Sequence, residues 1–341
     1  MTMAALTLLS GSYTDGGPDG INVLAFDTGT GALAHVRTLS GAPDASYLAF
    51  DPATRRLYAT DEMGPQVRAF ALDAEATALT PLGRQPAEAD YPCYVAFGPD
   101  RRRLAVADYG SDVVAVFDLD AVSGALRPGP TLLRGTGNSA PGHAHWVQWS
   151  PEGDRLFIVD LGHDEVRVHD VGADGSIGAA RTAFRTPAKS GPRHLAFHPD
   201  GQLAFLLTEY ANTLTSLRRR ADGTLDEIQT VSTLPAGHAG TSYGAHIQLS
   251  ADGSTVYVSN RGHNSIAVFA IEGDGNLAAR QTISCGGDWP RFFLLLDRHL
   301  IVANQKSDNL TVFAVAEDGT LRPTGQELSL AKPVMLLQLP D

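Results

Sequence analysis

The stretch SGPRHLAFHPDGQLAFLLTEY at residues 190–210 shows how polar and apolar positions are arranged along the whole chain. Two short apolar runs, LAF and LAFLL, flank a Pro-Asp-Gly turn; Arg193 and His194 precede the first run and Glu209 follows the second. Short alternating runs bounded by turn residues predict strands, and a Pro-Asp-Gly link predicts a tight antiparallel pair. The free ends of such a pair return to one edge, so Arg193, His194 and Glu209 are predicted to meet.

The pattern recurs as SYLAFDPATRRLYATDE, CYVAFGPDRRRLAVADY, HWVQWSPEGDRLFIVDL, RHLAFHPDGQLAFLLTE and AHIQLSADGSTVYVSNR, with a shortened copy RFFLLLDRHLIVANQ. After each copy comes a third alternating run, such as VVAVFDL, SIAVFAI or NLTVFAV, then an Asp/Gly turn and a weaker fourth run. Each unit therefore holds four strands, and the matching positions Glu62, Tyr109, Leu161, Glu209, Arg261 and Gln305 recur every 44 to 52 residues. That period predicts an all-β fold, a seven-bladed β-propeller of four-stranded blades. PVMLLQLPD at 333–341 reads as a first strand and TLLSGSY at 7–13 as a second. The C-terminal strand is thus expected to join the N-terminal blade and close the ring, which removes an open sheet edge. Residues 1–341 read as a single β-propeller domain. The Trp-Asp dipeptide of WD40 propellers is absent.

Strand direction decides which residues share a face. The residue leading into each first strand and the residue after each second strand fall on the same rim. The lead-in residues are Ser46, Cys93, His145, Arg193, Ala245, Arg291 and Val334, followed by Tyr47, Tyr94, Trp146, His194, His246, Phe292 and Met335. The return positions are Tyr13, Glu62, Tyr109, Leu161, Glu209, Arg261 and Gln305. A single arginine or histidine at a strand end is ordinarily solvated. Several cations crowded around a narrow channel repel one another unless a carboxylate or a bound anion balances them, so their convergence marks a site.

Composition narrows the partners. With 26 basic and 38 acidic residues the formal charge is −12, which argues against nucleic acid. No stretch approaches the roughly 20 apolar residues of a membrane-spanning helix. The apolar run near the N-terminus lacks a basic leader and a small-residue cleavage site, and Cys93 and Cys285 are too few for a disulfide framework. These features predict a cytoplasmic protein, and the closed ring predicts a monomer. No metal or cofactor is expected. Neither is a nucleophile elbow; Cys93 reaches the rim with no histidine in its own blade, which leaves a thiol nucleophile unsupported.

SGSYT, GPRHLAFHPDG with Glu209, VSNRGHNSIAVF and ANQKSDNLTVF together resemble the seven-bladed propeller lactonases, the family that includes bacterial 6-phosphogluconolactonase and fungal carboxy-cis,cis-muconate cyclase. The resemblance covers nearly the whole chain. It departs from the family where His246 replaces a frequent acidic residue and Thr208 precedes Glu209 in place of asparagine. By this resemblance the family's proposed catalytic residues correspond to His145, Arg193, Glu209 and Arg261. Lactone hydrolysis needs an activated water, a donor for the developing oxyanion and an anchor for an anionic group. His145 is expected as general base, Glu209 as water-orienting residue or alternate base, and Arg193 as the group facing the carbonyl. Arg261, Arg291 and Lys306 are expected to hold the anion, with His194, His246 and Gln305 completing the substrate-binding set. The implied reaction is hydrolysis of a sugar-acid lactone, 6-phosphogluconolactone to 6-phosphogluconate of the pentose phosphate pathway. Two alternatives stay open: a carboxymuconate-type cycloisomerase, and a non-catalytic propeller that binds partners through its tyrosine-rich rim.

Overall fold

In every repeat the chain begins at the centre of the molecule and steps outward. The computed structural model describes residues 5–14, 20–135 and 141–340. Among these residues the strands form seven four-stranded antiparallel sheets. We number the blades from the first complete repeat. Blade 1 starts at Ala45–Asp51, blade 2 at Pro92–Phe97, blade 3 at Ala144–Trp149, blade 4 at Pro192–Phe197, blade 5 at Tyr243–Leu249 and blade 6 at Pro290–Leu295. Blade 7 starts at Pro333–Gln338, which pairs antiparallel with Ala5–Ser12 and so closes the ring as expected.

The first strands of successive blades face one another around a central channel. Four of them begin with proline, Pro92, Pro192, Pro290 and Pro333, which fits a strand with one unpaired edge. The second strands are apolar on both faces, because blades pack against each side. In blade 4 this strand reads LAFLLT and is buried throughout. Interblade clusters join, for example, Phe157 and Val159 of blade 3 to Leu195 and Leu206 of blade 4. Fourth strands such as Leu225–Ser232 are half-buried or exposed beyond their first residue, since they form the outer edge of each blade. The Pro-Asp-Gly turns lie at the opposite end of the channel from the lead-in residues; Gly201 takes φ 72° there, a left-handed conformation that suits glycine.

One feature of the innermost strands is absent from the simple alternating pattern. All seven carry a register break at their lead-in end. Pairing passes from Pro192 to His194, from Ala144 to Trp146, from Pro92 to Tyr94 and from Pro290 to Phe292. The skipped residues are Arg193, His145, Cys93 and Arg291. A bulge leaves one residue out of the ladder and re-aims its side chain. Arg193 and His194 can therefore both turn toward the channel, where strict alternation would send one of them away.

Candidate active site

The bulges and the ends of the second strands deliver charged groups to one buried cluster. Glu209, just past the second strand of blade 4, accepts two bonds on a single oxygen: Arg193 Nε lies 3.1 Å and Arg261 NH2 3.0 Å from Oε2. Arg261 comes from blade 5 and also donates to the Gly244 carbonyl at 3.1 Å. Arg193 NH1 donates to the Ala245 carbonyl and lies 3.1 Å from His194 Nε2. A second pair sits beside the first. Glu62 accepts a bond of 2.8 Å from the Tyr13 hydroxyl, and Arg291 NH2 approaches its other oxygen at 3.7 Å. The Arg291 guanidinium also lies over the Tyr13 ring, 5.3 Å from its centre.

Three guanidinium groups thus face two carboxylates, which leaves one positive charge unbalanced in a region nearly closed to water. Arg193 is 3% and Arg261 5% exposed. Burial, with Arg261 next to it, pushes the Arg193 guanidinium down to about 9; it stays charged at neutral pH but is poorly compensated. Some donors remain open: Arg261 Nε is buried without a partner among the described residues. Such an arrangement favours an incoming anion.

Three histidines form the next layer of the channel. The ring centres of His145 and His194 lie 5.3 Å apart, and those of His194 and His246 5.6 Å. The Nδ1 atoms of His194 and His246 are 3.4 Å apart, and His246 stacks on Phe292. Arg193 can only donate, so His194 Nε2 is an acceptor and its hydrogen resides on Nδ1, directed at His246. Burial and the nearby Arg193 charge hold His145 well below the ordinary imidazole range and push His246 down to about 3. All three rings are neutral at physiological pH. Beyond them the channel opens toward the opposite face as a cavity of about 340 Å³, lined by Tyr94, Trp146, Gln148, His194, His246 and Gln248.

The structure brings together His145, Arg193, His194, Glu209, His246, Arg261 and Arg291, but His194 and His246 lie deep in the channel and not on its rim. Lys306 is on the rim and exposed, its ammonium 3.2 Å from the centre of the Trp289 ring. That same indole carries Arg261 at 5.4 Å, so Trp289 links the two cations. Gln305 contacts none of the arginines by hydrogen bond; its buried Oε1 lacks a partner among the described residues. Glu62 and Tyr13 were expected on the rim but given no role, and Trp289 was not singled out from sequence. Glu62 and Tyr13 occupy the return position that yields Glu209, which is the signal that identifies them; Trp289 follows no repeat signal.

The geometry also bears on the thiol, on a serine motif and on a histidine pair. Cys93 does have a histidine neighbour, supplied by the next blade: Sγ is 3.8 Å from His145 Nδ1. Gly240–Gly244 spells Gly-x-Ser-x-Gly, yet Ser242 is buried ahead of a strand and donates to the Arg261 carbonyl at 3.1 Å, so it is no exposed elbow. His194 and His198 stand four apart, but the strand carries them away from each other. His198 bonds the Gly253 carbonyl at 3.0 Å and Asp200 at 2.9 Å.

Residues 7–338 match the family described as Lactonase, 7-bladed beta-propeller. The chain belongs to that family. Among curated lactonase relatives, the 6-phosphogluconolactonase of Bacillus subtilis strain 168 is 31% identical over 335 residues, covering 95% of each chain. The solved structure of the periplasmic gluconolactonase of Pseudomonas aeruginosa superposes with a TM-score of 0.91 at 31% identity, covering 99% of each chain. A protein from Lactobacillus plantarum gives 0.90 at 32% identity, covering 98% of this chain and all of the other. No helix among the described residues is long and apolar enough to cross a membrane.

Proposed function

We propose that this lactonase propeller hydrolyses an anionic sugar-acid lactone, 6-phosphogluconolactone first among candidates, with His145, Arg193 and Glu209 as its catalytic group. The observation that carries this reading is the unbalanced cationic cluster beside a neutral imidazole. His145 takes a proton from water as the water oxygen bonds to the lactone carbonyl carbon. Arg193 stabilises the negative charge that develops on the carbonyl oxygen. When the ring C–O bond breaks, the ring oxygen recovers the proton from His145, and the carboxylic acid product ionises. Glu209 is assigned the lesser role, because two guanidiniums already hold one of its oxygens. Its other oxygen is free to orient water.

Arg261, Trp289 and Lys306 form the outer side of the cluster, and the phosphate is assigned to them. Arg291, tied to Glu62 and Tyr13, adds positive potential. His194 and His246 act on substrate through Arg193, and Gln305 serves as a polar wall. The chemistry asked of these residues needs no metal or cofactor. A phosphorylated substrate fits a cytoplasmic protein, and a closed ring, which leaves no sheet edge to pair, fits a monomer acting on small molecules; the Pseudomonas relative is periplasmic by its own description, so cell fractionation tests the location.

The decisive assay is proton release from freshly made 6-phosphogluconolactone against its spontaneous hydrolysis. Saturable acceleration, with weaker acceleration of unphosphorylated gluconolactone, supports the reading. Preference for gluconolactone would move the substrate toward that of the Pseudomonas relative. Acceleration of neither lactone would remove the reading.

A further inference from the structure

Cys93 and His145 are lead-in residues of neighbouring blades, and a bulge releases each from its ladder. Besides His145 Nδ1, the Cys93 sulfur meets three carbonyl oxygens, those of Ala107 at 3.7 Å, Ala144 at 3.8 Å and His145 at 3.7 Å. A thiol has one hydrogen to donate and weak lone pairs to offer. If the S–H pointed at Nδ1, those lone pairs would face three carbonyl oxygens. If the S–H points at a carbonyl, the lone pairs face Nδ1, which is favourable when Nδ1 carries the hydrogen. His145 Nε2, in contrast, makes no hydrogen bond to a described residue.

We propose that Cys93 is a positioning residue that holds His145 in its Nδ1–H tautomer and leaves Nε2 as the proton acceptor, an assignment that rests on His145 being the base. The pair looks like a cysteine–histidine nucleophile, but the environment is the wrong one for that. Burial, with Glu62 beside it, raises the Cys93 thiol far above its ordinary range, so no thiolate is available to attack. The sulfur works as a neutral acceptor.

The test reads the tautomer directly, by two-bond ¹H–¹⁵N correlation of His145 in the full-length protein and in Cys93→Ser and Cys93→Ala. Turnover of 6-phosphogluconolactone is followed in parallel. The wild type should show the Nδ1–H pattern, and serine, whose hydroxyl also accepts, should keep it with kcat within about threefold. Alanine should give mixed tautomers and lower kcat about tenfold with KM little changed, because part of the protein then carries the hydrogen on the wrong nitrogen. An Nε2–H pattern in the wild type overturns the proposal without need of a variant. So does an alanine variant unchanged in tautomer and kcat, or a lactone-derived adduct on Cys93 in the intact mass. If no lactone is turned over, the proposed function fails, while the tautomer spectra still decide what Cys93 does to His145.

Discussion

Asp61 and Glu62 are adjacent acidic residues at the end of one strand, and they hold the molecule together in different ways. Asp61 finds its partners close by in sequence: the Gly64 amide at 2.9 Å and Arg68 Nε and NH2 at 3.0 and 2.6 Å. Glu62 finds Tyr13 in blade 7 and Arg291 in blade 6. The same contrast holds in blades 3 and 4. Asp160 accepts from the His143 and His163 amides of its own blade, whereas Glu209 joins Arg193 of its own blade to Arg261 of the next. A carboxylate satisfied within its own blade fixes that blade, and one that also takes a partner from another blade gains that bond only once the ring has closed. Residue type does not separate these roles; the blade that supplies the partners does.

The sharpest test of that division is kinetic. His145→Ala should lower kcat/KM by about 10² to 10⁴, the range for loss of a general base. The wild-type profile carries the sign of its environment: the base must be neutral, and its pKa lies well below the ordinary imidazole value. Activity corrected for spontaneous hydrolysis should therefore stay level through pH 6.5 and fall only in more acid solution. A limb centred near 6.5 would place the base elsewhere.

Next come the paired positions. Asp61→Ala should destabilise the fold by about 2 to 3 kcal/mol, from lost hydrogen bonds to an arginine and a backbone amide, and leave kcat/KM unchanged. Glu62→Gln should lower kcat/KM about tenfold by breaking the buried pair that holds Arg291 in place. Urea unfolding together with steady-state kinetics would expose a reversal, in which Asp61 controls rate and Glu62 only stability.

A third carboxylate sharpens the comparison from within the fold. Asp108 occupies the strand-end position of Asp61 and Asp160, but Ala115 stands where their blades have Arg68 and Arg167. Both of its oxygens are buried without a partner among the described residues. Burial, helped by Glu88 and Asp90, pushes the carboxyl up to about 9. The folded state keeps a proton that the unfolded chain releases above about pH 4, so stability falls as pH rises from there toward 9. Asp108→Asn removes this penalty. It should stabilise the protein by about 1 to 2 kcal/mol at pH 8 and by nothing below pH 4, measured as melting temperature against pH. Equal shifts at both ends would show that ionisation of Asp108 is not the cause.

The smallest effect is expected at the exposed edge. Lys306→Ala should raise KM for a phosphorylated lactone about threefold and leave that for gluconolactone unchanged, as befits a solvated cation.

Much of this was legible because repeats carry their own register. Seven blades, their closure through the two ends of the chain, and the meeting of Arg193 with Glu209 follow from alternating apolar runs and the turns between them. The bulges were not legible, since nothing in GPRH or AHW marks the residue that leaves the ladder. The fold read from strict alternation could place Arg193 or His194 in the channel, and the register break places both. The Cys93–His145 contact was hidden for a related reason: the partner lies one blade away, so no spacing within a repeat reveals it. The loss of an arginine partner at Asp108 was visible only once strand pairing set Ala115 against Arg68 and Arg167.

The central claim, that the mouth formed by Arg193, Arg261 and His145 receives an anionic lactone, is tested most directly by a crystal structure with the product 6-phosphogluconate. The product carboxylate should lie on Arg193 within reach of His145 Nε2, and its phosphate on Arg261 and Lys306. Product bound only in the cavity at the opposite end of the channel, or a mouth left empty at saturating product, would contradict it.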